Sequence, residues 1–570
     1  MHLGHHLVDL LTKMKVETVF GLPGGQTLPY YDAIRESNGK IKHISLRAEK
    51  SAAYAAVAYS RLTNKVGVCD ATVGPGAAEF TAGLGEAYNS STPLFALFSD
   101  IPSDWEHLRD HGNASQGFDQ LEMVKPFTKW AARVPSAAAL PDMVRNAFLK
   151  SVSGRPGPTV LSVHEDIFKQ KWDGKESDIP SDLGTYPRLR PCADRSQIEK
   201  AIKILKAAKK PILFVGGGAM ISKAEVEITE LAESLSIPVL QTFTGRGVIA
   251  DDHPLAIGLT GGLGTLSGKK LAEEADAVFL IGFKSGQNST FTWTIPSPKQ
   301  VVIHLDIDEA EIGRVFKAEV GLVGDVKQTI QEMLLQLNND SDKQEYPDRL
   351  EWIRAAKKEW EDFVSDELRS EGKLLKPQQV LAALNSISNP EDVLVCDASF
   401  SSGWGGTYYK HKTAGRKVIT PRGLAGLGFG LPAAIGAAAA VKDGEVYLIA
   451  GDGGFGYTVG ELATLQVYGL KVTIIVLDNR NWGWMEWLNK LNYQKEYFDL
   501  PSIDFSKISA GFGLNGLRAR NQRELTEALQ DAKKSPLSSI IHVDTALWET
   551  PVIGFREAIG KNNKQPVKYM

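Results

Sequence analysis

Apolar positions recur along the chain in two alternating rhythms. Short continuous apolar runs end in glycine-rich turns, and stretches with helical spacing follow them. In the first 172 residues the runs are VETVFGLPGG, KHISL, KVGVCDATVGPG and TPLFALFSD, with KSAAYAAVAYSR and similar segments between them. Repeated alternation of this kind predicts parallel sheets covered by helices on both faces. A stretch rich in proline, glycine and charge over 171–196 is expected to be a linker. A second block opens with a helix near 196–208 and runs through PILFVGGGAM, IPVLQTF, ADAVFLIGF and QVVIHLDID, fading near 340. A third starts near 375 with DVLVCDASF, RKVITPRGL, EVYLIAGDGGFG, KVTIIVLDNRN and SSIIHVDTA. The predicted fold class is therefore α/β, with three doubly wound parallel-sheet domains at 1–172, 196–342 and 375–550 and a polar tail over 551–570.

Composition narrows the partners without changing the fold. The 570 residues carry 64 basic and 68 acidic side chains, a net charge of −4, so no global positive field draws in nucleic acid or an anionic membrane. The most apolar stretch, LGFGLPAAIGAAAAV at 427–441, is too short and broken for a membrane span and is expected to be a buried small-residue helix. Cys69, Cys192 and Cys396 lie far apart with no CxxC, which predicts three core thiols in a reducing compartment, and no export signal is visible. A cytoplasmic protein is expected.

The chemistry gathers in GEVYLIAGDGGFGYTVGELATLQVYGLKVTIIVLDNRN, residues 444–481. Gly451, Gly453 and Gly456 give the GxGxxG spacing of a dinucleotide turn between a strand and a helix. Asp452 argues against a bare pyrophosphate there, because its carboxylate would repel the phosphates unless a cation stood between them. If strands 445–450 and 472–478 are parallel neighbours, Asp452 and Asn479 reach one rim. With the carbonyl of Asn481 they supply three oxygen ligands to a hard cation such as Mg²⁺, which leaves positions for two diphosphate oxygens and a water.

GDG followed at twenty-seven positions by Asn479 resembles the thiamine-diphosphate (ThDP) motif. Over nearly its whole length the chain resembles the acetolactate synthase and benzaldehyde lyase branch of ThDP-dependent enzymes. That resemblance implies a pyrimidine-binding domain first, a central domain, and a diphosphate-binding domain last. It implies Asp452, Asn479 and Asn481 as metal ligands, and Ala398, Ser399, Gly453 and Gly454 along the diphosphate. Gly25, Gly426, Asn481 and Trp482 would also contact the cofactor, and Leu427 would be the apolar wedge that holds it bent. Glu49, which opens the helix after KHISL, would be the catalytic acid that hydrogen-bonds the pyrimidine, and burial should raise its pKa. Gln116, twelve residues before Thr128, would be a second catalytic residue. Because Glu49 and Asp452 come from different domains, the resemblance implies a homodimer or homotetramer with active sites at subunit interfaces.

The implied activity is a Mg²⁺- and ThDP-dependent carboligase. It would decarboxylate a 2-oxo acid, with pyruvate the expected donor, and transfer the acyl carbanion to a second 2-oxo acid, an aldehyde, a ketone or a keto-sugar. A site with few histidines beyond His107 and His111 favours ligation over simple decarboxylation. Departures from the family pattern gather where substrate and flavin are read. Ala48 stands where a histidine often precedes the catalytic acid, Trp484 and Leu488 stand where Met and Trp are usual, and GFKSGQNSTF at 282–291 keeps only Lys284 of a flavin-associated segment. FAD in the central domain is thus an open expectation. The competing readings are a 2-oxo acid decarboxylase or 2-hydroxy ketone lyase, a flavin-dependent pyruvate oxidase, and a non-catalytic ThDP-binding subunit.

Overall fold

A computed structural model describes residues 2–172, 178–339, 345–369, 372–493 and 498–553. Among these residues eighteen strands form three six-stranded sheets, and every ladder between them is parallel. By contact the chain divides into two compact units. One comprises 1–189 with the segments 421–442 and 456–472, and the other comprises 190–420, 443–455 and 473–570.

The first unit is built on β1 (Thr18–Gly21), β2 (Lys42–Ser45), β3 (Gly67–Ala71), β4 (Leu94–Asp100), β5 (Trp130–Arg133) and β6 (Pro158–His164), in the order β2-β1-β3-β4-β6-β5. β3, β4 and β6 are buried along their whole length, as expected of a parallel sheet covered on both faces. The helix Glu49–Thr63 is rich in alanine, and small side chains let other backbones approach it closely. A Cβ on Gly436, in the helix Gly430–Ala440, would fall 2.0 Å from the carbonyl oxygen of Ala55, and one on Gly83 would fall 2.1 Å from Ala53 Cβ. The small-residue run at 427–441 is thus a helix buried from Gly430 to Ala437.

Part of the expected linker is instead fixed to this unit. Leu183, Gly184 and Tyr186 are buried. Val66 N–H donates to Gly184 O at 2.8 Å, and the Tyr186 hydroxyl donates to Ser60 O at 2.8 Å. The segment reads as a linker because its anchors are backbone bonds and single apolar residues without periodicity; residues 173–177 of it lie outside the described set.

The second unit holds two sheets. The middle one contains β7 (Pro211–Val215), β8 (Val239–Gln241), β9 (Ala256–Leu259), β10 (Ala277–Ile281), β11 (Val301–Asp306) and β12 (Val320–Val323), in the order β12-β11-β10-β7-β8-β9. The other contains β13 (Val393–Cys396), β14 (Val418–Ile419), β15 (Val446–Gly451), β16 (Thr473–Asp478), β17 (Asn515–Ala519) and β18 (Ser539–Asp544), in the order β14-β13-β15-β16-β18-β17. Each has its own apolar core. In all three sheets the chain order reverses once near the centre, between β1 and β3, β7 and β10, and β13 and β15. Such switch points leave a crevice at the carboxyl ends of the strands.

Two sequence expectations need correction. Cys69 and Cys396 are buried, but Cys192 is exposed, because it lies in irregular chain just before the helix Arg195–Ala207 rather than on a strand. The start of the expected polar tail is apolar and buried at Val552 and Ile553; 554–570 lie outside the described residues. Among the described residues no helix is long and apolar enough to cross a membrane.

Candidate active site

The sequence-predicted residues gather into two constellations, one in each unit. In the second unit β15 and β16 pair in parallel with Gly451 opposite Leu477, so Asp452 and Asn479 leave adjacent strands at the same rim. Asp452 is buried and opens the short helix Asp452–Gly456. Past β16 the chain turns sharply. Arg480 N–H donates to Asp478 Oδ1 at 3.0 Å, Asn481 N–H donates to Asn479 Oδ1 at 3.1 Å, and Arg480 itself has φ +56°. The turn leaves Asn481 buried, its side-chain N–H₂ donating to Asp499 at 3.2 Å.

Electrostatics at this rim favour an incoming cation. Asp452 Oδ2 and Asn481 Oδ1 are both buried without a hydrogen-bond partner. Burial drives the Asp452 carboxyl well above its usual range, and the neighbouring Asp478 raises it further. Burial opposes ionisation of Asp478 too, but its polar neighbours, first among them His542, whose Nε2 lies 2.9 Å from Asp478 Oδ2, outweigh it and hold Asp478 low. Orphaned buried oxygens of this sort call for an explanation, and a hard divalent ion satisfies both charge and lone pairs. Asn479 Oδ1 accepts one backbone N–H and keeps a second lone pair for such an ion. The donor set therefore fits Mg²⁺.

Beside it, at the switch point, Ala398 and Ser399 follow β13. Ser399 has φ +65° and ψ −140°, a conformation that L side chains rarely adopt, immediately before the helix Phe400–Tyr408. Strain of this type persists where the surrounding structure enforces it and is common at ligand sites. The ring of Trp482 lies over Gly453, where a Cβ would meet Trp482 Cζ3 at 2.5 Å. Gly453 is thus required by close approach, and Gly454 is buried beside it.

In the first unit three turns meet at the carboxyl ends of β1 and β3. Thr72 Oγ1 donates to Gln26 Oε1 at 3.0 Å, and a Cβ on Gly24 would clash with Thr72, so the 21–27 and 71–76 turns are locked together. Gly25 faces open space. Glu49 lies against the second of these turns: a Cβ on Gly76 would fall 2.9 Å from Glu49 Oε1. Gln116, at φ +64°, lies against Gly74 of the same turn, and a Cβ there would fall 2.7 Å from Gln116 Cβ. Glu49 and Gln116, sixty-seven positions apart in sequence, are in this way brought to one turn. Burial raises the Glu49 carboxyl, with smaller upward contributions from Glu79 and Asp70, as the sequence predicts.

Leu427 is only half-buried, between Gly426, which abuts the Tyr54 hydroxyl, and Gly428 at φ +80°. It is therefore not a core residue of this unit, and its apolar side chain is partly available for contact.

Sequence reasoning missed the groups that hold these residues in place. Glu86 is fully buried and accepts N–H bonds from Arg422, Gly423 and Leu424, each at 2.9 Å, and from Ala425 at 3.3 Å. Arg61 pairs with it at 3.0 Å. One carboxylate thus shapes the loop that leads to Leu427. Glu461 accepts the Arg47 N–H at 3.0 and 3.1 Å and fixes the chain just ahead of Glu49. Asp100 holds Arg109 at 2.9 Å, and Arg109 donates to Phe118 O at 2.8 Å, bracketing the segment that carries Gln116. The one visible signal was Glu86 itself, an acid inside the small-residue helix Thr81–Asn89.

Three parallel sheets, each with its switch point, and a rim with orphaned buried oxygens point to a class that comparison with known proteins makes explicit. The chain matches the N-terminal TPP binding domain of thiamine pyrophosphate enzymes over residues 1–123, their central domain over 198–333 and their C-terminal TPP binding domain over 397–543. It belongs to this family. Among its relatives, a probable acetolactate synthase large subunit of Methanococcus aeolicus is 34% identical over 547 residues, covering 92% of this chain and 89% of the relative. An acetolactate synthase large subunit of Cyanidium caldarium is 31% identical, covering 98% and 95%. An acetolactate synthase of Arthrospira platensis is 33% identical, covering 93% and 92%. The protein is thus a ThDP-dependent enzyme of acetolactate synthase-like type.

Proposed function

We propose that the protein is a Mg²⁺- and ThDP-dependent carboligase that decarboxylates pyruvate and joins the acyl unit to a second carbonyl compound. The observation that carries this reading is the pair of orphaned buried oxygens, Asp452 Oδ2 and Asn481 Oδ1, at the rim where β15 and β16 end. Asp452, the free lone pair of Asn479 and an oxygen of Asn481 hold the ion. Ala398, Ser399, Gly453 and Gly454 give the diphosphate close access to backbone, which side chains would block. Bound ThDP supplies the electron sink for breaking and making the carbon–carbon bond.

The remaining residues position and protonate. Glu49, its pKa raised by burial, donates a hydrogen bond to the pyrimidine. Leu427 supplies the apolar surface that holds the two cofactor rings together. Gly25, Gly426 and Trp482 line the cofactor, and Gln116 orients the carbonyl substrate. The active form is a homo-oligomer, a dimer or tetramer, acting in the cytoplasm on small molecules without nucleic acid or membrane. The curated relatives named acetolactate synthase support pyruvate as donor.

The test is incubation with ThDP, Mg²⁺ and pyruvate, with and without aldehydes and ketones, followed by NMR. Acetolactate or a mixed 2-hydroxy ketone is expected. Acetaldehyde alone would replace ligation by simple decarboxylation, and flavin bleaching by pyruvate would replace it by an oxidase.

A further inference from the structure

A second cluster of ligating side chains lies in the first unit and is not used by the reading above. The helices Leu3–Lys13 and Leu28–Glu36 pack together and face each other with two histidines and two acids. His2, at the N-cap, and His5 lie one turn apart on the first helix, and Asp32 and Glu36 lie one turn apart on the second. His2 Nε2 is 3.9 Å from Asp32 Oδ2, and His5 Nε2 is 2.7 Å from Glu36 Oε2. The two imidazole rings are 4.0 Å apart. One ligand atom each from His2, His5 and Asp32 can be chosen so that all lie within 4.8 Å of one another.

Each histidine keeps a buried ring nitrogen without a hydrogen-bond partner. A neutral imidazole carries one N–H, and the contact with Glu36 places it on His5 Nε2. His5 Nδ1 is then a bare lone pair, and it is buried with no hydrogen-bond partner. His2 Nδ1 is likewise buried and unpartnered; it abuts Gly4, where a Cβ would fall 3.0 Å away, which leaves Nε2 turned toward Asp32. A carboxylate fixing the far nitrogen of a histidine is the usual second layer of a zinc site.

We propose that His2, His5 and Asp32 bind a divalent transition metal, zinc being the ion best suited to two imidazoles and a carboxylate, with Glu36 orienting His5. Three protein ligands leave a fourth position to water. The ion would staple the first helix to the second. Among the described residues the other cluster of this type, Asp478, His542 and Asp544, belongs to the rim already described.

The test uses the full-length chain without an affinity tag, stripped with chelator and then saturated with ThDP and Mg²⁺, so that the rim of the third sheet is occupied. Isothermal titration with ZnCl₂ should find one tight site per chain. His5→Ala should weaken it at least tenfold, and Glu36→Gln should weaken it by about 10–100-fold, the usual effect of losing an orienting partner. His253→Ala, which removes a histidine paired with Glu233 elsewhere, should leave the titration unchanged. If the histidine variants fail to fold, ¹⁵N-histidine NMR of the unaltered protein gives the same reading, with zinc shifting the ring nitrogens of His2 and His5. Equal zinc affinity in the His2→Ala/His5→Ala double variant, or NMR shifts confined to other histidines, would overturn the proposal. Neither result touches the ThDP reading.

Discussion

The middle and third sheets follow different strand orders, and their rims differ in kind. Both have six parallel strands and a central switch point. At the middle switch point the glycine turns after β7 and β10 close on each other: a Cβ on Gly216 would fall 2.1 Å from Gly282 O, and one on Gly218 would fall 2.7 Å from Gly282 Cα. Those glycines are used by the chain's own packing. At the third switch point the turns after β13 and β15 hold a strained serine, and the neighbouring turn after β16 completes a set of buried oxygens without partners. A doubly wound sheet supplies the crevice, and unsatisfied groups at its edge decide whether it is a site.

The sharpest way to break this contrast is at Asp452. Asp452→Ala should abolish Mg²⁺-dependent ThDP binding and with it all turnover, measured by titration and by pyruvate consumption. Removing one buried carboxyl that resists ionisation should not lower the melting temperature. A variant that bound ThDP normally would show that the third rim is not the cofactor's metal site.

Glu49→Gln comes next, with loss of cofactor C2 proton exchange by about 10²–10⁴-fold, the range expected when a positioned acid–base group is lost. ThDP should still bind. The pH dependence has a definite sign. Because the folded pKa is raised, the protonated form persists upward in pH, and exchange should fall as pH rises through that value. The same shift means that Glu49 opposes folding increasingly above its unfolded pKa, so Glu49→Gln should be relatively more stable at neutral pH than at acid pH.

Glu86→Ala tests the support behind Leu427. It strips four backbone N–H groups of their acceptor and leaves Arg61 buried without its carboxylate, a loss of about 3–5 kcal/mol by analogy with broken buried pairs. Chemical denaturation reads this directly. The smallest effect belongs to the middle rim, where Gly218→Ala should cost about 1–3 kcal/mol from overpacking and leave ThDP affinity of the folded protein unchanged.

Much of this was legible in the sequence, and the reason is local. β15, the GDG turn and β16 are contiguous in the chain, so apolar runs, spacing and one out-of-place carboxylate were enough to place Asp452 and Asn479 on one rim. Glu49 was singled out through the family resemblance, because a glutamate in the first turn of a helix is by itself an ordinary dipole partner. What stayed hidden depends on contacts between distant positions. Glu86 and the 422–425 loop are over three hundred residues apart, as are Glu461 and Arg47. Strain at Ser399 and Gln116 has no signature in residue type, since both are ordinary polar residues held at positive φ. The ordering of Leu183 and Tyr186 was invisible because nothing periodic marks it.

The most direct measurement of the central claim is titration of ThDP into metal-free protein with and without Mg²⁺, for the unaltered chain and for Asp452→Asn. The account predicts tight binding that requires Mg²⁺ and disappears in the variant. Binding that ignores Mg²⁺, or that survives Asp452→Asn undiminished, would contradict the assignment of the third rim as the metal and diphosphate site.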